Sequence, residues 1–165
     1  MFDAQLLHDA AELLKLCRRA RLKVATAESC TGGLIAGCMT EIGGSSDVIE
    51  RGFVTYSNEA KIEMLGVPKM LITLHGAVSE QVARAMAEGA LSRSLADLTI
   101  AVTGVAGPGG GTKEKPVGLV HFACAGRGRP TIAHHEAFPG DRAAVRDATV
   151  QTAFSIIRHT VQGNA

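Results

Sequence analysis

The chain has no tryptophan, one tyrosine and five phenylalanines, so aromatic residues make up only 4% of its 165 residues. An excess of positive charge is also missing, because 17 Lys and Arg stand against 16 Asp and Glu, for a net charge of +1. Proteins that bind nucleic acids typically cluster basic residues and interleave them with aromatic side chains. The composition therefore argues against a nucleic acid partner, and it leaves Leu, Ile, Val and Ala to form the core.

Long hydrophobic runs are lacking as well. No stretch reaches the roughly 18 apolar residues that span a bilayer, and the amphipathic N-terminus MFDAQLLHDAAELLKLCRRA is unlike a signal peptide. The cysteines show no C-x-x-C spacing, so no zinc knuckle or redox pair is indicated; they are Cys17, Cys30, Cys38 and Cys124. We expect a cytoplasmic protein with free thiols and no membrane, metal or cofactor partner.

Helix and strand patterns alternate along the whole sequence. Apolar periodicity predicts helices over 4–20, 31–42, 58–66, 80–96 and 142–159, and strands over 22–28, 49–57, 97–104, 117–125 and 130–138. Asn58, Ser79 and Asp141 are the candidate N-caps. The order predicts an α/β fold, a three-layer α/β/α sandwich on a mixed, mostly parallel sheet. Without a linker or an internal repeat, we expect a single domain over 1–165.

The stretch TAESCTGG places Ser29 and Cys30 at a predicted strand-to-helix turn. In open α/β sheets the functional crevice lies beyond the carboxyl ends of the strands. The N–H groups of Thr31, Gly32 and Gly33 are expected to be unpaired at the helix start, where they would face an anion or an oxyanion. The alternative is that Ser29 is an ordinary helix cap.

A serine nucleophile needs a base. Among the histidines, only His75 lies in a predicted loop that is free to approach the turn. Lys61 is the other candidate, because it lies one turn into a helix that follows the second strand, and burial would lower its pKa. Tyr56, at the end of that strand, could bond the amine or the serine hydroxyl. The alternative is a solvated Lys61 paired with Glu59 or Glu63.

The glycine-rich loop TGVAGPGGGTKEKPVG would let backbone amides approach a ligand closely. Its candidate ligand contacts are Thr103, Gly104 and Gly107. The loop matches neither the P-loop nor the dinucleotide-binding motif. Arg142, in FPGDRAAVR, begins the last helix and could hold a phosphate or carboxylate. A mobile connection and a surface ion pair with a nearby aspartate are the corresponding alternatives.

Five motifs, in this order, resemble the CinA C-terminal domain family: TAESCTGG, GSSDVIERGFVTYSNEAK, HGAVSE, TGVAGPGGGTKEKPVG and FPGDRAAVR. The resemblance runs from about residue 6 to 160, and stand-alone members of the family are nicotinamide-nucleotide amidohydrolases. It implies hydrolysis of the carboxamide of nicotinamide mononucleotide to nicotinate mononucleotide and ammonia. It also implies that Ser29 is the nucleophile and Lys61 the general base, with Tyr56 assisting.

On this reading, backbone amides from Cys30 to Gly33 would stabilise the oxyanion, and the glycine-rich loop and Arg142 would contact the ribose phosphate. Two other functions remain open from the sequence. Cys30 could be the nucleophile of a cysteine hydrolase, since a helix N-terminus lowers a thiol pKa. The chain could also be a non-catalytic nucleotide-binding or regulatory module. A homo-oligomer is compatible with the sequence, which does not indicate the interface.

Overall fold

The computed structural model of the protein describes residues 2–163, so positions 1, 164 and 165 of the predicted domain lie outside it. Five strands are present: β1 Val24–Glu28, β2 Ile49–Val54, β3 Leu98–Gly104, β4 Leu119–Gly126 and β5 Arg129–Ala137. They form one sheet in the order β2-β1-β3-β4-β5.

The sheet is mixed. β1 pairs in parallel with both β2 and β3, whereas β4 is antiparallel to both β3 and β5. Four strands therefore share one direction and β4 alone is reversed, which confirms the predicted mixed, mostly parallel sheet. In this register Glu28 lies beside Val54 of β2 and Val102 of β3. The carboxyl ends of three neighbouring strands thus meet at one edge of the sheet.

Helices cover both faces of the sheet. They are α1 Ala4–Ala20, α2 Leu34–Thr40, α3 Asn58–Leu65, α4 Lys69–His75, α5 Glu80–Ser92 and α6 Arg142–Val161, with a 3-10 turn at Ser45–Asp47. One apolar core joins α1, α2 and α6 to the sheet, and a second joins α3 and α5 to the opposite face. The three predicted layers are confirmed. Within residues 2–163, no helix has the length and apolar character needed to cross a bilayer.

Helix ends follow the predicted caps with one exception. Ser79 and Asp141 accept hydrogen bonds from the N–H groups of Val82 and Ala144, as predicted. The helix α3 is capped by Ser57 rather than by Asn58, because it is the Ser57 side chain that accepts the N–H of the third helical residue.

The helix α4 was not predicted. Pro68 directly precedes this helix and is compatible with a helix start, because a proline lacks only the N–H that a helix start leaves unpaired. It is the N-cap of α4. His75 is therefore the last residue of a short helix rather than part of a loop.

Candidate active site

Ser29 directly follows β1 and is anchored from both neighbouring strands. Its N–H donates to the carbonyl of Val102 at 3.0 Å, and the carbonyl of Glu28 accepts the N–H of Thr55 at 2.8 Å. The pairing of β1 thus extends up to the serine. Its side chain is 8% exposed and lines a cavity at the carboxyl edge of the sheet.

Lys61 is buried in the first turn of α3, with 1% of the residue exposed. Its Nζ reaches back over the end of β2 and lies 3.0 Å from Ser29 Oγ. The same nitrogen lies 2.9 Å from the carbonyl oxygen of Thr55 and 3.3 Å from that of Tyr56. The alternative of a solvated lysine is wrong, because neither the exposure nor the ion pairs found within residues 2–163 fit it.

The surroundings of Lys61 favour its neutral form. Burial holds the pKa of the amine below its ordinary value, and the weaker attractions of Cys30 and Glu59 only partly oppose that effect. Its hydrogen-bond partners are neutral carbonyls and one hydroxyl rather than a carboxylate. An amine of this kind is able to accept a proton from the neighbouring serine.

Cys30 lines the same cavity but is 5% exposed. Burial raises the pKa of its thiol to about 12, and the neighbouring Glu28 carboxylate acts in the same direction. The lowering expected at a helix N-terminus is therefore wrong, chiefly because the thiol is buried and to a lesser degree because Glu28 lies beside it. A thiolate is disfavoured at this position.

The turn itself leaves fewer free N–H groups than expected. The N–H of Gly32 donates to a carbonyl inside the turn at 3.1 Å, and that of Gly33 donates to the Glu28 carboxylate at 3.0 Å. Within residues 2–163, only the N–H groups of Cys30 and Thr31 in this turn have no hydrogen-bond partner. Glu28 was missed because it was assigned to a strand, although an acidic side chain beside a helix start is itself a signal.

Tyr56 and Arg142 meet at the mouth of the cavity. The Tyr56 hydroxyl accepts a hydrogen bond from Arg142 Nη2 at 3.1 Å, and Arg142 Nη1 donates to the carbonyl of Gly107 at 2.8 Å. The phenol is therefore bonded to neither Lys61 nor Ser29, because the tyrosine side chain turns outward and is 61% exposed. Arg142 bonds the glycine-rich loop rather than a neighbouring aspartate.

The cavity has a volume of about 210 Å³. Its lining residues are Ser29, Cys30, Tyr56, Asn58, Lys61, Ala77, Val78, Thr103, Gly104, Ala106 and Arg142. A groove of about 640 Å³ adjoins it and shares Ala106 and Arg142 as a common wall. The candidate base His75 is not among the lining residues.

A third hollow, of about 650 Å³, lies between β5 and α6 and contains Ser155 and His159. Within the described residues, no hydrogen bond joins these two side chains. Size therefore does not identify the site in this molecule. The buried contact between a serine hydroxyl and a lysine amine marks the smaller cavity as the candidate site.

Residues 7–161 match the CinA C-terminal domain. The chain belongs to this family. It is 49% identical over 146 residues to the nicotinamide-nucleotide amidohydrolase PncC of Escherichia coli K12, which covers 88% of each chain. A crystal structure of the competence/damage inducible protein CihA from Agrobacterium tumefaciens covers 98% of both chains, with a TM-score of 0.94 and 48% identity.

Other members of the CinA family are longer. A CinA-like protein of Mycolicibacterium vanbaalenii is 48% identical over 162 residues, which is 98% of this chain but 37% of that protein. Several curated relatives share this relation, and the chain spans 32% to 38% of their length. The resemblance inferred from the five motifs is confirmed at the level of the family.

The glycine-rich CinA motif contributes to the site in two ways. Thr103 and Gly104 line the cavity, and Thr103 Oγ1 donates to the carbonyl of Ala77 at 2.8 Å, which ties the HGAVSE segment to β3. Gly107 lies further out, and its carbonyl holds Arg142.

The sequence missed four lining residues: Asn58, Ala77, Val78 and Ala106. Asn58 was interpreted only as a cap, and the other three have no chemistry-bearing side chain. The one signal in the sequence for these four residues is that each lies in a motif quoted above.

Proposed function

We propose that this chain hydrolyses the carboxamide of nicotinamide mononucleotide to nicotinate mononucleotide and ammonia. The observation that carries the proposal is the distance of 3.0 Å between Ser29 Oγ and the buried Lys61 Nζ. A hydroxyl beside a base of lowered pKa is the arrangement used for nucleophilic acyl transfer. The substrate is taken from the similarity to PncC, which extends over 88% of both chains.

In the proposed acylation step, the neutral Lys61 amine removes the hydroxyl proton while Ser29 Oγ attacks the carboxamide carbon. The resulting ammonium returns a proton to the amide nitrogen, the C–N bond breaks, and ammonia leaves an acyl-enzyme ester. The N–H groups of Cys30 and Thr31 are the proposed donors to the oxyanion. Loss of one such donor costs about 3–4 kcal/mol in other enzymes.

Deacylation repeats the sequence with water. Lys61 takes a proton from the water that attacks the ester, and it then returns this proton to Ser29 Oγ as the C–O bond to the serine breaks. The product leaves as the carboxylic acid and loses its remaining proton to solvent, which gives the carboxylate. The carbonyls of Thr55 and Tyr56 accept N–H groups of the amine, so it stays hydrogen-bonded in both protonation states. We assign the assistance of Tyr56 to this carbonyl and to its hydroxyl bond with Arg142.

The two hollows suit the two parts of the substrate. The nicotinamide ring would occupy the cavity of about 210 Å³ beside Ser29, and the ribose phosphate would extend into the adjoining groove. Arg142 lies on the wall between them and is the proposed phosphate contact, since a guanidinium binds phosphate through two parallel hydrogen bonds. In this proposal the residues from 1 to 165 act as a single domain.

Ammonia release from nicotinamide mononucleotide tests the proposal. We expect Ser29→Ala and Lys61→Ala each to lower kcat by about 10³-fold or more, because the nucleophile and its base act as a unit. Circular dichroism should show that both variants remain folded. Cys30→Ala keeps its backbone N–H and should retain turnover. The activity of the wild type should not be inhibited by iodoacetamide.

Each alternative function has its own outcome in this experiment. Full activity of either Ser29→Ala or Lys61→Ala would contradict the serine mechanism. If only Cys30→Ala lost activity, the nucleophile would be the Cys30 thiol rather than Ser29. Binding of the nucleotide without any ammonia after long incubation would instead favour a regulatory module.

A further inference from the structure

Glu28 is a buried carboxylate immediately before the proposed nucleophile, and none of its surface is exposed. Its Oε2 accepts the Thr31 hydroxyl at 2.7 Å and the N–H groups of Gly33 and Ile35 at 3.0 Å each. Its Oε1 accepts the N–H of Ala36 at 2.9 Å. All four donors lie on the far side of the Ser29 turn, so one carboxylate closes the turn against the first residues of α2.

A buried charge of this kind is costly unless hydrogen bonds replace its lost hydration. Here the replacement comes from a helix N-terminus, where unpaired N–H groups and the helix dipole favour a negative charge. Three N–H groups are consumed in this way. The start of α2 therefore holds an internal anion, and it is not open to an anionic group of a ligand.

The two glycines of the turn have no side chains that could hold its shape. Gly32 and Gly33 both adopt positive φ, +61° and +101°, which glycine allows at the cost of greater freedom in the unfolded chain. Gly33 is also the N-cap of α2 and has no side chain to cap the helix. The other hydrogen bonds of the turn are the anchoring of Ser29 to β3, the bonds from the Gly32 and Leu34 N–H groups to carbonyls inside the turn, and a contact from Arg146 to the Thr31 carbonyl. With four donors, the Glu28 carboxylate makes more of these bonds than any other group.

We propose that Glu28 is a positioning residue for the reaction at Ser29, a role that rests on the proposed function above. By bonding the far side of the turn, its carboxylate holds Ser29 Oγ against Lys61 Nζ. It also sequesters the later N–H groups, so that those of Cys30 and Thr31 remain available to the oxyanion. Glu28 does not touch the substrate and acts only through the geometry of the turn.

The test compares Glu28→Gln and Glu28→Asp with a matched control, Glu41→Gln. Glu41 lies at the other end of α2 and is exposed, so the control removes the same charge without opening the turn. Thr31→Val is a further variant that removes only one donor to the carboxylate. Because a displacement of about 1 Å at a reacting group costs on the order of 10²-fold in rate, we expect kcat of both Glu28 variants to fall by about 10-fold to 10²-fold.

Two readouts separate positioning from simple support of the fold. At a temperature where circular dichroism shows each variant to be folded, kcat for ammonia release should fall while KM changes less than about twofold. Glu28 does not line the cavity, and the proposed phosphate contact Arg142 lies on another element. Labelling of Ser29 by a small alkyl fluorophosphonate, followed by mass spectrometry, should slow in parallel. That reagent needs no nucleotide: Oγ forms the P–O bond, fluoride leaves and the hydroxyl proton passes to Lys61.

The outcomes are distinct. Folded Glu28 variants that label and turn over at the wild-type rate overturn the role of Glu28. If both Glu28 variants fail to fold, then unchanged labelling and kcat in folded Thr31→Val overturn it, and a fall in both supports it. A wild type that labels at Ser29 but releases no ammonia contradicts only the proposed function, and the labelling rates still decide on Glu28. A wild type that neither labels nor releases ammonia lacks an activated serine, which overturns both.

Discussion

Lys61 is buried in a way that is rare for a lysine, with 1% exposure and no carboxylate bonded to its amine. A lysine normally keeps its charged end in water, and burying the charge without a counter-ion is strongly unfavourable. The protein therefore holds a group at a cost to its stability, which is typical of functional sites. At this position burial lowers the pKa of an amine that lies beside a serine hydroxyl, as the proposed mechanism requires.

The lowered pKa of Lys61 predicts two effects of pH. The rate of ammonia release should rise with pH through the native pKa of Lys61, since the free amine is the proposed base. Stability should rise as well between that lowered pKa and the ordinary value of 10.5. In this window the unfolded state binds more protons than the native state, so raising the pH favours folding.

The stability effect is measured by urea unfolding of the wild type and Lys61→Met at several pH values. We expect the wild type to gain unfolding free energy relative to the variant as pH rises through the window. The exposed Lys69 supplies the control. The difference in unfolding free energy between the wild type and Lys69→Met should not change with pH. A difference between wild type and Lys61→Met that does not change with pH would mean that Lys61 titrates normally in the native state.

At the scale of elements, most boundaries follow from local pattern. The helix α1 coincides with the predicted 4–20, and β3 lies within the predicted 97–104, because apolar periodicity and a continuous apolar run are properties of neighbouring residues. The helix α4 was not predicted because it lacks such a local pattern. It has only seven residues, none of them fully buried, so its apolar side chains show no strong pattern.

The glycines around the cavity serve different purposes. A Cβ at Gly104 would lie 2.7 Å from Val120 Cγ2 and 2.8 Å from the carbonyl oxygen of Leu119, both in or beside β4. Gly109, in the same loop, has open space where its Cβ would be. Gly104 was predicted as a ligand contact, and it does line the cavity, but close packing of β3 against β4 is what requires a glycine there.

Alanine substitutions test this distinction. We expect Gly104→Ala to lower the free energy of unfolding by about 1–3 kcal/mol, since overpacking forces neighbouring groups to move. Gly109→Ala, which meets no neighbour, should stay within about 0.5 kcal/mol of the wild type. Chemical denaturation measures both, and equal stabilities of the two variants would contradict the packing argument.

At the scale of the whole molecule, the two sides of the sheet are built differently. The core under α1, α2 and α6 contains large side chains such as Leu13, Ile100 and Phe122. The core under α5 is dominated by alanines, namely Ala27, Ala83, Ala87, Ala90, Ala101, Ala123 and Ala125. Small residues on both surfaces let α5 lie close to the sheet. Since α5 follows the segment with Ala77 and Val78, this close approach helps to place one wall of the cavity.

Enlarging a residue in the alanine-rich core should therefore affect both stability and the site. We expect Ala101→Leu to cost about 1–3 kcal/mol of unfolding free energy and to raise KM for nicotinamide mononucleotide. The matched control is Ala137→Leu, at an exposed position of β5, which should change neither quantity appreciably. Thermal unfolding and steady-state kinetics of the two variants provide the measurement. An Ala101→Leu variant with unchanged stability and unchanged KM would show that α5 is not closely packed against the sheet.

The sequence by itself determined every helix and strand except α4, together with the layered fold and the motifs that place the chain in its family. These depend on the period of apolar residues, on capping side chains and on turn residues, all of which act between neighbours in the chain. It also singled out Ser29, Lys61 and Arg142 as candidates, although it left each with an ordinary alternative.

Only the tertiary structure decided how those candidates meet. Ser29 and Lys61 are 32 positions apart, and Tyr56 and Arg142 are 86 apart. Their contacts depend on strand order and register, which no local pattern encodes. The structure likewise changed the meaning of the helix start after Ser29: Glu28 fills it, because a buried carboxylate needs donors and an uncapped helix supplies them.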